Sequence, residues 1–233
     1  MITKLLYTKK CVIYKGEGER KTKLILSSIV TMIVNLILFS IIPFIWWLIR
    51  HRKKESFFTW LGFIKPKLKS KWWVLLIFGV VYYFFYNFDF TTLLSPETMK
   101  ALEESGSVAV HEYKGLGVAA IIPALITNFI ANGVAEEILY RGFLCKRLCG
   151  KLGTTKGVIL QAVLFALMHN ALYLLAGVPV GVDYHALMFV FTGTGALLLA
   201  YLNEKIYNGS IIPSIIMHGL GNFVTSMLVA YNL

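Results

Sequence analysis

The sequence predicts an all-α, polytopic transmembrane helix bundle of about six spans, and three observations carry that prediction. Of the 233 residues, 57% are hydrophobic and only 15% are charged, where a soluble domain carries about a quarter charged. Long stretches hold no charge: 24–49, 72–88 and 116–135 are free of Lys, Arg, Asp and Glu, and 157–182 and 206–233 are interrupted only by His169 and His218 and lack such charges apart from these histidines. Runs of this length meet the roughly 17–25 residues that a helical span of a bilayer needs. Finally, the basic residues flank these runs. Seven of the 23 Lys and Arg fall in 1–23 and eight in 50–71, where they anchor to anionic lipid and set topology. The net charge of +11 therefore predicts a lipid bilayer as partner and no nucleic acid.

Taken in order, the first span is 24–48, with Pro43 expected to kink it. The second is 72–88, the third a long helix over 115–149, and a Gly- and Thr-containing turn follows at 150–155. The fourth span is 156–177, the fifth 185–203 and the sixth 210–233. Residues 1–114 read as an N-terminal basic segment with two peripheral spans, and 115–233 as the core. The N-terminus does not read as a cleavable signal, because its basic region is too long and its apolar run too extended. Cys11, Cys145 and Cys149 make a poor disulfide framework and are read as small helix residues. The loop over 49–71 has eight basic residues and is placed in the cytoplasm; 89–114 has two basic and five acidic residues and is placed outside. The basic turn at 147–156 returns inside. The seven N-terminal basic residues break this alternation, so the first segment is either re-entrant or a local exception to the rule.

Ionisable groups within spans are costly and are functional candidates by default. Here they are Glu136, Glu137 and Arg141 on the third span, His169 on the fourth, and His218 with Asn222 on the sixth. At about 1.5 Å rise per residue, Glu136 and His169 lie about 20 Å from the cytoplasmic ends of their helices and His218 about 12 Å. Three helices are thus expected to supply one polar pocket. Glu137 and Arg141 are four apart and face each other, which reads as a structural pair. Glu136 lies on another face with Asn132 and Tyr140 and is left free to act on a water. Phe165 shares a face with His169, and His218 with Asn222, a pair suited to a developing oxyanion. Isolated buried His or Asn also serves as interhelical glue, the bland reading of the same set. His51, His111 and His185 are given no role, and Asp183 and Glu204 read as loop charges. The Trp and Tyr residues at 46, 47, 72, 73, 82 and 83 read as interfacial belt.

These residues fall into three motifs: EExxxR at Glu136-Glu137-Ile-Leu-Tyr-Arg141, FxxxH at Phe165-Ala-Leu-Met-His169, and HxxxN at His218-Gly-Leu-Gly-Asn222. Together, and in this order, they resemble the CPBP family of CAAX proteases and bacteriocin-processing enzymes, also called Abi, over about 115–222. The resemblance implies an intramembrane endopeptidase. Glu136 is then the general base, activating water with His169, while His218 and Asn222 stabilise the oxyanion and Glu137 and Arg141, with Phe165, support the site. Two spans precede the glutamate helix here, one fewer than in the family's fuller members.

The implied substrate is a membrane-associated or lipidated peptide, either in CAAX-type processing or in bacteriocin maturation or self-immunity. The implied place is the cell membrane, with the site opening toward the cytoplasm. No cofactor is expected. A divalent metal, held by Glu136, His169 and His218, is the alternative, although the spacing is not the HExxH of one-helix zinc sites. The competing class is a non-catalytic membrane binding or immunity protein that uses the polar cluster for helix packing or partner docking.

Overall fold

The computed structural model describes residues 2–67, 72–86, 88, 90–105 and 112–232. His111 and the side chain of Cys11 lie outside the described residues. The described elements are helical, with no strand among them. α1 is Ile2–Arg50, α2 Phe57–Leu61, α3 Trp72–Tyr86 and α4 Pro96–Ser105. Four longer elements follow: α5 Gly117–Leu152, α6 Thr154–Leu175, α7 Val182–Ile206 and α8 Ile212–Ala230.

Among the described residues, five helices are long and apolar enough to cross a membrane: Lys21–Arg50 of α1, and α5 to α8. The chain is thus a polytopic helical bundle. The second expected span is the one that differs. α3 has 15 residues and rises about 22 Å, short of the roughly 30 Å hydrocarbon core. Pro43 lies inside α1 without ending it, and its ring is fully buried. The outer face of α1 leaves Val30, Ile37, Leu38 and Ile42 more than half exposed, the pattern of a surface whose solvent is lipid.

Two short helices were not expected from hydropathy. α2 forms because Ser56 caps it, its Oγ accepting the Thr59 N–H at 3.2 Å, and Gly62 ends it at φ 96°. α4 is capped by Ser95, which accepts the Thr98 N–H at 3.3 Å. Asp183, read from sequence as a loop charge, holds this cap from the far side. It accepts the Ser95 N–H at 2.7 Å and the Thr98 hydroxyl at 2.8 Å, tying α4 to the start of α7.

Glycines bring the core helices into backbone contact. A Cβ on Gly133 of α5 would lie 3.0 Å from the Gly219 Cα of α8, and one on Gly219 would lie 2.7 Å from the Phe129 ring. Small residues at such crossings let backbones approach in a bilayer, where packing rather than hydrophobicity drives association. At the other end of α8, the chain before α3 clamps its entry. Ile211 N–H donates to Gly62 O at 2.9 Å, Ser210 Oγ to Ile64 O at 2.6 Å, and Lys67 N–H to Asn208 Oδ1 at 2.8 Å. Lys146 of α5 adds Nζ to Gly209 O at 2.6 Å and pairs with Glu204 at 2.9 Å, so Glu204 is a clamp residue rather than a loop charge.

Candidate active site

The site starts from an irregularity of α5. Its hydrogen bonding widens to π turns over Leu125–Val134 and again over Ile138–Cys145, leaving an α-helical step at Ala135–Glu137 between them. Single π turns gather at functional sites because the extra residue re-aims its neighbours. Here they flank the two glutamates, which point to different surroundings.

Glu137 is fully buried, and its carboxylate is met from three sides. Arg141 Nη1 lies 2.9 Å from Oε1 as an ion pair. Ser214 Oγ of α8 donates to Oε2 at 2.5 Å, and His218 Nδ1 lies 3.1 Å from Oε1. A carboxylate facing this many donors is an acceptor only, so His218 Nδ1 carries the proton. The Arg141 guanidinium, 1% exposed, lies over the Phe165 ring at 4.5 Å, a cation–π contact that replaces part of its lost hydration. The sequence reading of Glu137 and Arg141 as a pair holds, and the structure adds His218 to it.

Glu136 is different. Its side chain is 14% exposed, and its Oε2 is buried with no hydrogen-bond partner among the described residues. The neighbouring group is His218 Nε2 at 4.0 Å, beyond hydrogen-bond reach but suited to a bridging water. One turn to either side of Glu136 lie Asn132 and Tyr140. Asn132 accepts from Asn35 Nδ2 of α1 at 3.4 Å, and Tyr140 packs edge-on against Phe165 at 4.8 Å.

Phe165 is the hub of the pocket. Besides Tyr140 and Arg141 it touches the rings of His169 at 4.4 Å and His218 at 6.4 Å. His169 Nδ1 is 2.9 Å from the Phe165 carbonyl. A carbonyl accepts only, so Nδ1 is the protonated nitrogen and Nε2 is left as the reactive one. No hydrogen bond joins His169 to Glu136 among the described residues. Asn222 is partly buried one turn beyond His218, without a hydrogen bond among the described residues. Six of the seven candidates thus meet around Phe165 and Glu137, and Asn222 lies at the margin. No three His, Cys, Asp or Glu side chains among the described residues come close enough to hold a metal ion.

Two residues of the site were given no role from the sequence. Ser214 lies one turn before His218 on the same helix face, a spacing that gave the signal. Asn203, fully buried, donates Nδ2 to Ser214 Oγ at 2.6 Å. It was taken as the end of a span, because nothing in its neighbours shows that a π turn over Leu202–Ile206 carries α7 past it. Of the residues given no role, His185 bonds Asn170 Oδ1 at 2.8 Å and His51 packs on Trp60 at 5.2 Å. Cys145 and Cys149 are free thiols 3.8 Å apart.

Comparison with known proteins gives a match of the same extent as this site. No curated protein and no solved structure matches the chain. Residues 118–224 match the family described as type II CAAX prenyl endopeptidase, Rce1-like, a segment that contains all three motifs together with Asn203 and Ser214. The motif-bearing core of this multi-pass bundle, residues 118–224, is thus similar to the Rce1-like family of type II CAAX prenyl endopeptidases.

Proposed function

We propose that the chain is an intramembrane endopeptidase of glutamate type, acting on membrane-associated peptides that carry a lipidated cysteine. The observation that carries this reading is the buried, unpartnered Glu136 Oε2, 4.0 Å from His218 Nε2. A carboxylate held this way accepts a proton from a water lying between it and the imidazole. The water oxygen then bonds to the scissile carbonyl carbon, whose oxygen becomes the oxyanion. His218 as imidazolium, with Glu137 as its counter-charge, donates Nε2–H to that oxygen, and Asn222 donates from the next turn. His169, whose Nδ1 is held by the Phe165 carbonyl, keeps Nε2 as a second proton acceptor. When the carbon–nitrogen bond breaks, the proton held by Glu136 passes to the leaving amine. The motif residues supply every step, and no step is routed through a metal.

A groove of about 360 Å³ between α3 and α8 supports a lipidated substrate. Its walls are apolar, among them Leu75, Gly79, Tyr83, Met217, Leu220 and Gly221. Met217 and Gly221 flank His218 on α8, so a hydrocarbon tail lying there brings its attached peptide to the edge of the site. The Lys/Arg bias supports an entrance on the cytoplasmic side.

The test is cleavage of a farnesylated CAAX peptide and of its non-lipidated counterpart by purified protein in detergent. Wild type should cut the farnesylated peptide. Glu136→Gln should lower kcat by at least a thousandfold with an unchanged melting temperature, and a strong chelator should leave wild-type activity intact. A Glu136→Gln protein as active as wild type sinks the base assignment, and chelator-sensitive cleavage sinks the glutamate mechanism.

A further inference from the structure

Two buried polar groups that the proposed chemistry does not use lie on one side of Glu137. Asn203 and Ser214 are both fully buried, come from different helices, and form a hydrogen-bonded line that ends on the carboxylate: Asn203 Nδ2 to Ser214 Oγ at 2.6 Å, then Ser214 Oγ to Glu137 Oε2 at 2.5 Å. On the carboxylate's other oxygen sit His218 Nδ1 at 3.1 Å and Arg141 Nη1 at 2.9 Å.

The direction of this line follows from counting protons. The Asn203 amide group donates, so Ser214 Oγ accepts there and has one proton left to give. Two acceptors are in reach: Glu137 Oε2 at 2.5 Å and the Ile211 carbonyl at 3.0 Å. The carboxylate is the closer, and bonds to charged acceptors are the stronger ones. Ser214 therefore fixes Oε2 and with it the plane of the carboxylate. Without that bond the carboxylate is free to turn about its last torsion and take Arg141 with both oxygens, the fork geometry that guanidinium favours. His218 then loses the acceptor that keeps the proton on Nδ1.

We propose that Asn203 and Ser214 are positioning residues for His218, acting through Glu137 to hold the imidazole with Nδ1 protonated and Nε2 turned toward Glu136. The role rests on the endopeptidase reading above, but the geometry it predicts is measurable without turnover. Partners that orient a metal-ligating histidine from behind are worth about 10–100-fold in activity, and a loss of the same order is expected for this histidine.

The experiment uses the full chain in lipid nanodiscs with ¹⁵N-labelled histidine, the His218 signals being assigned by their loss in His218→Gln. Wild type should show a protonated, hydrogen-bonded Nδ1. Ser214→Ala should move that resonance, lower kcat on the farnesylated CAAX peptide by about 10–100-fold and leave KM within about twofold. Ser214→Thr, which restores the hydroxyl, should return both the resonance and kcat most of the way. Asn203→Leu should shift the resonance in the same direction. An unmoved Nδ1 resonance in folded Ser214→Ala overturns the proposal, as does a loss of activity that Ser214→Thr does not restore. Glu136→Gln, assayed alongside, separates the two readings. If it stays active the base assignment fails, whereas a dead Glu136→Gln beside an unaltered Ser214→Ala removes only the positioning role.

Discussion

Arg141 places a full positive charge at 1% exposure within a helix of the bundle, and its surroundings explain why it is tolerated. Glu137 neutralises it one turn away, and the Phe165 ring covers one face of the guanidinium. Removing one member of a buried pair leaves the other charge uncompensated, at a cost of about 3–5 kcal/mol, while replacing both with apolar residues is often neutral. Arg141→Met should therefore lower the melting temperature in detergent sharply, and the double substitution Glu137→Leu with Arg141→Met should recover most of the loss. Activity should be absent in the double variant, because His218 has lost its acceptor there. A double variant no more stable than Arg141→Met shows that the pair stabilises by more than mutual neutralisation. Lys at 141 is no conservative choice, since an ammonium neither stacks on Phe165 nor offers a planar fork.

Among the helices, the crossing of α5 and α8 sets the distance on which the site depends. Gly219 follows His218 directly, and Gly133 precedes Glu137 by one turn, so the His218–Glu137 contact hangs beside a point where two backbones touch. Gly219→Val should force the helices apart against Phe129, since overpacking of this kind costs about 1–3 kcal/mol. Its signature is a drop in kcat larger than the stability loss explains, read from activity and thermal unfolding of the same preparation. Full activity in this variant shows that α8 relaxes without moving His218. Much of this level was legible in the sequence. The uncharged runs placed the long helices to within a few residues, and the spacing of Glu137 and Arg141 gave their pairing. Depth along the spans gave the expectation that Glu136, His169 and His218 lie at one level, and helical spacing set Phe165 beside His169. What hydropathy could not show were contacts made by neutral polar residues far apart in the chain. Asp183 caps a helix 85 residues away, and Asn203 reaches Ser214 only because α7 continues through a π turn that no local pattern marks. α2 and α4 were missed for a related reason: a cap and one or two turns leave too short a periodic signal.

For the whole molecule, the region before residue 115 is more than an anchor. α1 reaches α5 through Asn35, whose Nδ2 donates to Ala131 O at 3.1 Å, and through Phe39 packed on Tyr140. α3 closes the apolar groove against α8. A Cβ at Gly79 meets open space, so a large side chain there fills the groove without straining the helix. Gly79→Phe should raise KM for the farnesylated peptide at least tenfold, leaving stability and the slower cleavage of the non-lipidated peptide unchanged; equal kinetics on both substrates places the tail elsewhere. The clamp at residues 208–211 bears on the same helix in another way. α8 has one angular and one axial setting in which His218 meets Glu137, and a slip of a single residue displaces that ring by about 1.5 Å and turns it by about 100°. Apolar side chains sliding against lipid offer little resistance to such a slip, whereas hydrogen bonds to Gly62, Ile64 and Lys67 admit only one register. The segment between the first two apolar helices therefore acts as an indexing stop. It fixes the rotation and height of a buried histidine from the membrane's edge, by contacts that never enter the site.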